Sequence, residues 1–74
     1  MSKLPQVAGP ACIDALSKAG FYIARQRGSH VTLRRFYPAI RVTFPNHRKW
    51  IKPSTLYNII RQAGMTVAEF NRLL

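Results

Sequence analysis

Between Phe21 and Phe44 the chain carries three short segments, FYIARQ, HVTLRR and IRVTF, each rich in β-branched and aromatic residues. Two tight turns separate them. Arg27-Gly28-Ser29 makes the first and Phe36-Tyr37-Pro38-Ala39 the second, with glycine and proline where turns favour them. Connections this short predict an antiparallel three-stranded sheet, because a parallel crossover needs a dozen or more residues. Side chains two apart on a strand share a face. Val31 and Leu33 therefore point one way, with His30, Thr32 and Arg34 opposite, and Ile40, Val42 and Phe44 oppose Arg41 and Thr43 in the same manner. The sheet is expected to have an apolar face for helices and an open face carrying His30, Thr32, Arg34, Arg41 and Thr43.

Helical patterns flank it. The first helix is expected to begin near Gly9 or Pro10, since proline is tolerated in the first turn. Cys12, Ile13, Ala15, Leu16 and Ala19 form its apolar stripe, and Gly20 supplies the stop. Beyond the sheet, Ser54 is the expected N-cap of TLYNIIRQA, in which Leu56, Ile59, Ile60 and Ala63 line one side until Gly64 ends the helix. Thr66 and Glu69 read as a capping box for a last segment with Val67, Phe70, Leu73 and Leu74 apolar. The order predicts an α+β two-layer fold in a single domain over residues 1–74, with no repeat or linker.

A chain of 74 residues has a thin core, burying only about 60% of the surface its unfolded form exposes. Self-association or a bound partner would help it. Twelve Lys and Arg face only Asp14 and Glu69, a formal net charge of +10. Such a surface attracts phosphate backbones, although it also serves solubility or complements an acidic protein. Cys12 is the only cysteine, so no internal disulfide forms and a reducing cytoplasm is expected. LPQVAGPACIDAL is interrupted by Gln6, two prolines and Asp14, and no apolar run approaches a membrane span. The expectation is a soluble intracellular protein with no membrane association.

Two isolated carboxylates, one cysteine and two histidines do not supply a spaced zinc site or the acidic ligands of a two-metal nuclease. No glycine-rich phosphate loop occurs. No metal or cofactor is expected. Histidine and a cationic field suffice for one reaction, the cleavage of RNA by its own 2′-hydroxyl. The nucleophile is inside the substrate, so the protein need only move protons, worth about 10²–10⁴-fold, and stabilise charge. His30, at the start of a strand on the open face, is the better candidate, against the plainer reading of a solvent-exposed hairpin histidine. His47 lies in a basic loop, where it contacts phosphate or sits in solvent. Arg25, Arg27, Arg34, Arg35 and Arg41 cluster by strand geometry, either as a phosphate grip or as a solvated rim, and Arg48, Lys49 and Lys52 extend them. Ser29 bonds a phosphate or closes the turn. Trp50 is expected to plug the corner between loop and helix rather than stack on a base. Tyr22, Phe36 and Tyr37 are expected in core and turn packing.

LPQVAG, ALSKAGFYIARQRGSHVTLRR, VTFPNH and IKPSTLYNIIRQAGMTVAEFNRLL, in that order, cover nearly the whole chain. In these pieces it resembles the HicA toxins, the YcfA-like mRNA interferases of toxin–antitoxin pairs. The resemblance implies a double-stranded-RNA-binding-domain-like fold, α-β-β-β-α, and an endoribonuclease that degrades mRNA. It also implies a HicB-type antitoxin as neutralising partner. The family's catalytic histidine maps onto His30. Many relatives carry a second histidine directly after it, where this chain has Val31, and a glycine where it has Ser54. The resulting expectation is an mRNA-cleaving toxin in which His30 handles protons. Arg25, Arg27, Ser29, Arg34, Arg41 and Lys49 hold RNA. The alternative is a non-catalytic RNA-binding module that inhibits translation by occupancy.

Overall fold

In the computed structural model, which describes residues 3–74, the pattern becomes six elements. They are helix α1 (Gly9–Lys18), strands β1 (Tyr22–Arg27), β2 (His30–Arg35) and β3 (Ile40–Pro45), and helices α2 (Pro53–Gln62) and α3 (Val67–Leu73). The strands pair antiparallel in the order β1-β2-β3. This is the expected α+β arrangement, α-β-β-β-α with a short last helix, and it is compatible with the double-stranded-RNA-binding-domain-like description.

Alternation on β2 and β3 divides the sheet as expected. Val31, Leu33, Val42 and Phe44 are buried, and they share one core with Cys12 and Leu16 of α1, Leu56, Ile59 and Ile60 of α2 and Phe70 of α3. Burial of apolar side chains on this one face leaves the opposite face of the sheet without a covering layer. The strand β1 is exposed along its whole length and forms one edge.

Both long helices end in the same way. After α1, Phe21 N–H donates to the Leu16 carbonyl and Gly20 N–H to that of Ser17, with Gly20 at φ +96°. After α2, Met65 donates to Ile60 and Gly64 to Arg61, with Gly64 at φ +76°. These are Schellman caps, which need a residue at ease in the left-handed region. Thr66 and Glu69 form the reciprocal capping box of α3. The start of α2 differs from expectation. Lys52 is its N-cap and Pro53 its first residue, so Ser54 lies inside the first turn and makes no side-chain cap. Proline fixes φ near the helical value and has no N–H to satisfy there, so it sets the boundary in place of a serine cap.

The loop between β3 and α2 is fastened to the segment before α1. Gly9 N–H donates to the His47 carbonyl over 2.8 Å and Ile51 N–H to that of Val7 over 2.8 Å, with Ala8 and Trp50 in an isolated antiparallel bridge between them. Gly9 is required by contact. A β-carbon there would stand 2.5 Å from Asn46 Oδ1, 2.7 Å from Asn46 Cα and 2.9 Å from His47 N.

Candidate nucleic-acid interface

The first turn is a two-residue loop, Gly28-Ser29, closing the pair Arg27 and His30. Only its first residue has a positive φ, +59° at Gly28. That is the type II′ pattern, whose twist matches that of the flanking strands. The Ser29 carbonyl accepts from Asn46 N–H, so the hairpin tip is tied to the loop after β3.

Directly opposed residues in an antiparallel pair point to the same side of the sheet. On the open face the registers give three rows across the strands: Arg27, His30 and Pro45; Arg25, Thr32 and Thr43; Tyr22, Arg34 and Arg41. One irregularity makes this possible. The pairing of β1 with β2 slips between Ile23 and Arg25, leaving Ala24 as the extra residue. Without that bulge Tyr22 and Arg25 would lie on opposite faces. His30, Arg25, Arg27, Arg34 and Arg41 are all exposed, and the Thr32 and Thr43 hydroxyls hydrogen-bond across the middle row at 3.1 Å.

The electrostatics of the rows is one-sided. Arg34 and Arg41 are direct cross-strand partners, an arrangement that destabilises a sheet unless something negative lies over it. Neither acid of the chain is on these strands. Asp14 lies on α1, and Glu69 on α3 is engaged by Thr66, whose backbone and side-chain hydrogen bonds lower the carboxyl pKa. Val31 is fully buried, so the residue after His30 faces the core.

Several residues fall elsewhere than the sequence suggested. Arg35 leaves the cationic cluster. Its partner is Ile40, on the helix-facing side, where its Nη1 donates to the Ala19 carbonyl at 3.2 Å and its guanidinium lies 4.8 Å from the Phe21 ring centroid. Trp50 does not plug a corner; it is 65% exposed. Its backbone is held by the bridge to Ala8, which fixes the chain without burying the ring. Tyr22 and Phe36 stack on each other outside the core, centroids 5.2 Å apart and planes at 26°, and Tyr37 is 92% exposed. Alternation on β2 does announce Arg35, two places beyond Leu33 on the core side. Nothing announces the others, because the bulge resets the alternation on β1 and the rest lie in loops.

Lys49 is placed beside the rows rather than on them. It lines a cleft of about 390 Å³ with Pro45, His47, Trp50, Lys52 and Thr55. Pro45 belongs to both, opposing His30 on the sheet and forming one wall of the cleft. Cys12 is no nucleophile. Burial pushes its thiol up to about 12, leaving it an unreactive core side chain. Among the described residues no three of His, Cys, Asp and Glu come together so as to hold a metal ion, and no helix is long and apolar enough to cross a membrane.

A family model described as the HicA toxin of bacterial toxin–antitoxin systems matches residues 10–65, the span holding every row of the open face and the cleft. The chain belongs to the HicA toxin family. As a HicA protein it is the toxin of a toxin–antitoxin pair, with an antitoxin as its counterpart. Among curated proteins nothing matches it.

Proposed function

We propose that this HicA protein is an endoribonuclease that cleaves mRNA in the cytoplasm without a metal ion. His30 is the proton carrier, and Arg25, Arg27, Arg34, Arg41 and Lys49 hold phosphate. Ser29 sits at the turn that presents the imidazole. The observation that carries this reading is an exposed His30 beside Arg27 in a field of arginines with no carboxylate among them.

In the reaction the ribose 2′-oxygen attacks the adjacent phosphorus while His30 takes its proton. The bond from phosphorus to the 5′-oxygen breaks, and that oxygen is protonated from solvent. The products are a 2′,3′-cyclic phosphate and a 5′-hydroxyl. Guanidinium groups stabilise the extra negative charge that the phosphorane carries over the ground state. DNA has no 2′-hydroxyl and is not cut. The arginine-rich face also suits an acidic surface of a HicB-type antitoxin, which would cover His30 and exclude RNA.

The test is a His30→Ala variant compared with the wild type. Growth arrest and cleavage are expected to fall by about 10²–10⁴-fold, while RNA affinity changes less than threefold. Transcript ends from wild-type expression should carry cyclic phosphates, and chelators should not change the rate. If the variant still arrests growth, the protein acts by occupying RNA and not by cutting it.

A further inference from the structure

We infer that the cleft beside His30 is a subsite for one unpaired nucleobase, stacked on Trp50 with its flanking phosphate held by Lys49 and Lys52. The inference rests on the RNA reading above and adds a substrate class, RNA that is single-stranded at the cut. Three observations meet at this place. A tryptophan ring 65% exposed is costly to leave in water on so small a domain, and its flat face is what a base stacks on. The cleft, about 390 Å³, has the size of small-ligand sites, roughly 300–1,000 Å³. Its charged side chains, Lys49 and Lys52, are both cationic, which selects an anionic ligand over a neutral or cationic one.

Position adds the link to chemistry. Pro45 opposes His30 across the β2–β3 ladder, so the cleft opens one strand away from the imidazole. A strand whose scissile phosphate lies over Arg27 and His30 has its neighbouring nucleotide at the cleft mouth. The site is also fixed in advance. Bonds from Gly9 to His47 and from Ile51 to Val7 hold the loop at both sides of Trp50, so little ordering entropy is lost on binding. A base inside a duplex is stacked and paired, and it cannot enter. The aromatic platform therefore favours loops, ends and unpaired stretches.

Trp50 is the only tryptophan, so its fluorescence reports on this one site. The experiment uses the full chain carrying His30→Ala, which spares the probe from cleavage. It is titrated with an eight-nucleotide single-stranded RNA, the same strand annealed to its complement, and inorganic polyphosphate. Binding is followed in parallel by anisotropy of end-labelled RNA. The single strand is expected to quench Trp50, and the duplex and polyphosphate to leave it unchanged. A further Trp50→Ala change should weaken single-strand binding about 5- to 150-fold, the range of base–aromatic stacking, and alter polyphosphate binding less than twofold. RNA that binds by anisotropy without quenching, or a duplex that quenches equally, overturns the subsite and leaves the RNA reading standing. Quenching only by a purified antitoxin also overturns it, and gives the cleft to a protein. No RNA binding by anisotropy defeats the RNA reading itself.

Discussion

Arg34 and Arg41 face each other across two strands and both are exposed. Like charges so placed cost a sheet about 0.2–1 kcal/mol, reduced by salt. The natural sequence tolerates that cost at a position where many uncharged residues would fit a strand. An anion over the pair converts repulsion into two charge-assisted hydrogen bonds. Stability and binding should therefore move in opposite directions when one charge is removed. Arg41→Gln keeps most of the aliphatic stem and deletes the charge. Its urea midpoint in low salt is expected to rise slightly, and its RNA affinity to fall by about 5- to 30-fold, with the salt dependence weakened by about one contact. A variant that loses stability and keeps its affinity would make Arg41 an ordinary strand residue. Thr32 and Thr43 complete the row between the charges, joined to each other at 3.1 Å.

At the scale of elements, the sequence discloses whatever depends on near neighbours and conceals what depends on distant ones. Alternation on β2 and β3 and the glycine stops of α1 and α2 could be read because each rests on a few adjacent residues. The capping box of α3 is equally local. The bulge at Ala24 could not, since nothing in YIARQR marks which residue is left unpaired until β2 is laid beside it. The exposure of Trp50 is hidden for the same reason, since whether a loop ring is covered depends on what the chain brings over it. Arg35 is legible by contrast, because it continues the Val31 and Leu33 alternation to the core side of β2. Gly9 and Gly28 make the contrast measurable. Gly28 is needed for its φ of +59° and has nothing within 4 Å of a would-be β-carbon, whereas Gly9 would drive one into Asn46 at 2.5 Å. Gly28→Ala should cost about 1–2 kcal/mol through left-handed strain alone. Gly9→Ala should cost about 1–3 kcal/mol by overpacking against backbone, more than any gain in helix propensity at a first helical position returns. Chemical denaturation reads both. The sharper distinction is Asn46→Gly, which removes the Oδ1 contact but leaves the backbone contacts at 2.7 and 2.9 Å, so it should rescue a minor part of the Gly9→Ala loss and none of the Gly28→Ala loss.

The described residues span 33 × 29 × 17 Å, a two-layer slab whose sheet side and helix side differ in charge. Both acids sit on helices, while Arg25, Arg27, Arg34 and Arg41 stand on the sheet and Lys49 and Lys52 at its corner. A net charge of +10 on one chain makes any basic protein stick weakly to polyanions, so affinity alone does not distinguish a built interface from diffuse attraction. Salt dependence does. Each phosphate neutralised by a bound cation releases counterions, and on single strands the slope of log K against log salt is about −0.7 per contact. Six cations acting together predict a slope near −4, so raising salt from 50 to 200 mM should weaken single-stranded RNA binding by roughly 250-fold. Neutralising Arg25, Arg27 and Arg41 together should roughly halve that slope. Neutralising Lys3, Lys18 and Arg72, which lie outside the rows and the cleft, should leave it nearly unchanged. Equal effects from the two triple variants would mean that charge count and not placement governs binding, and the open face would lose its claim to be the RNA surface. An antitoxin that works by covering this face should compete with RNA at low salt and bind the first triple variant far more weakly than the second.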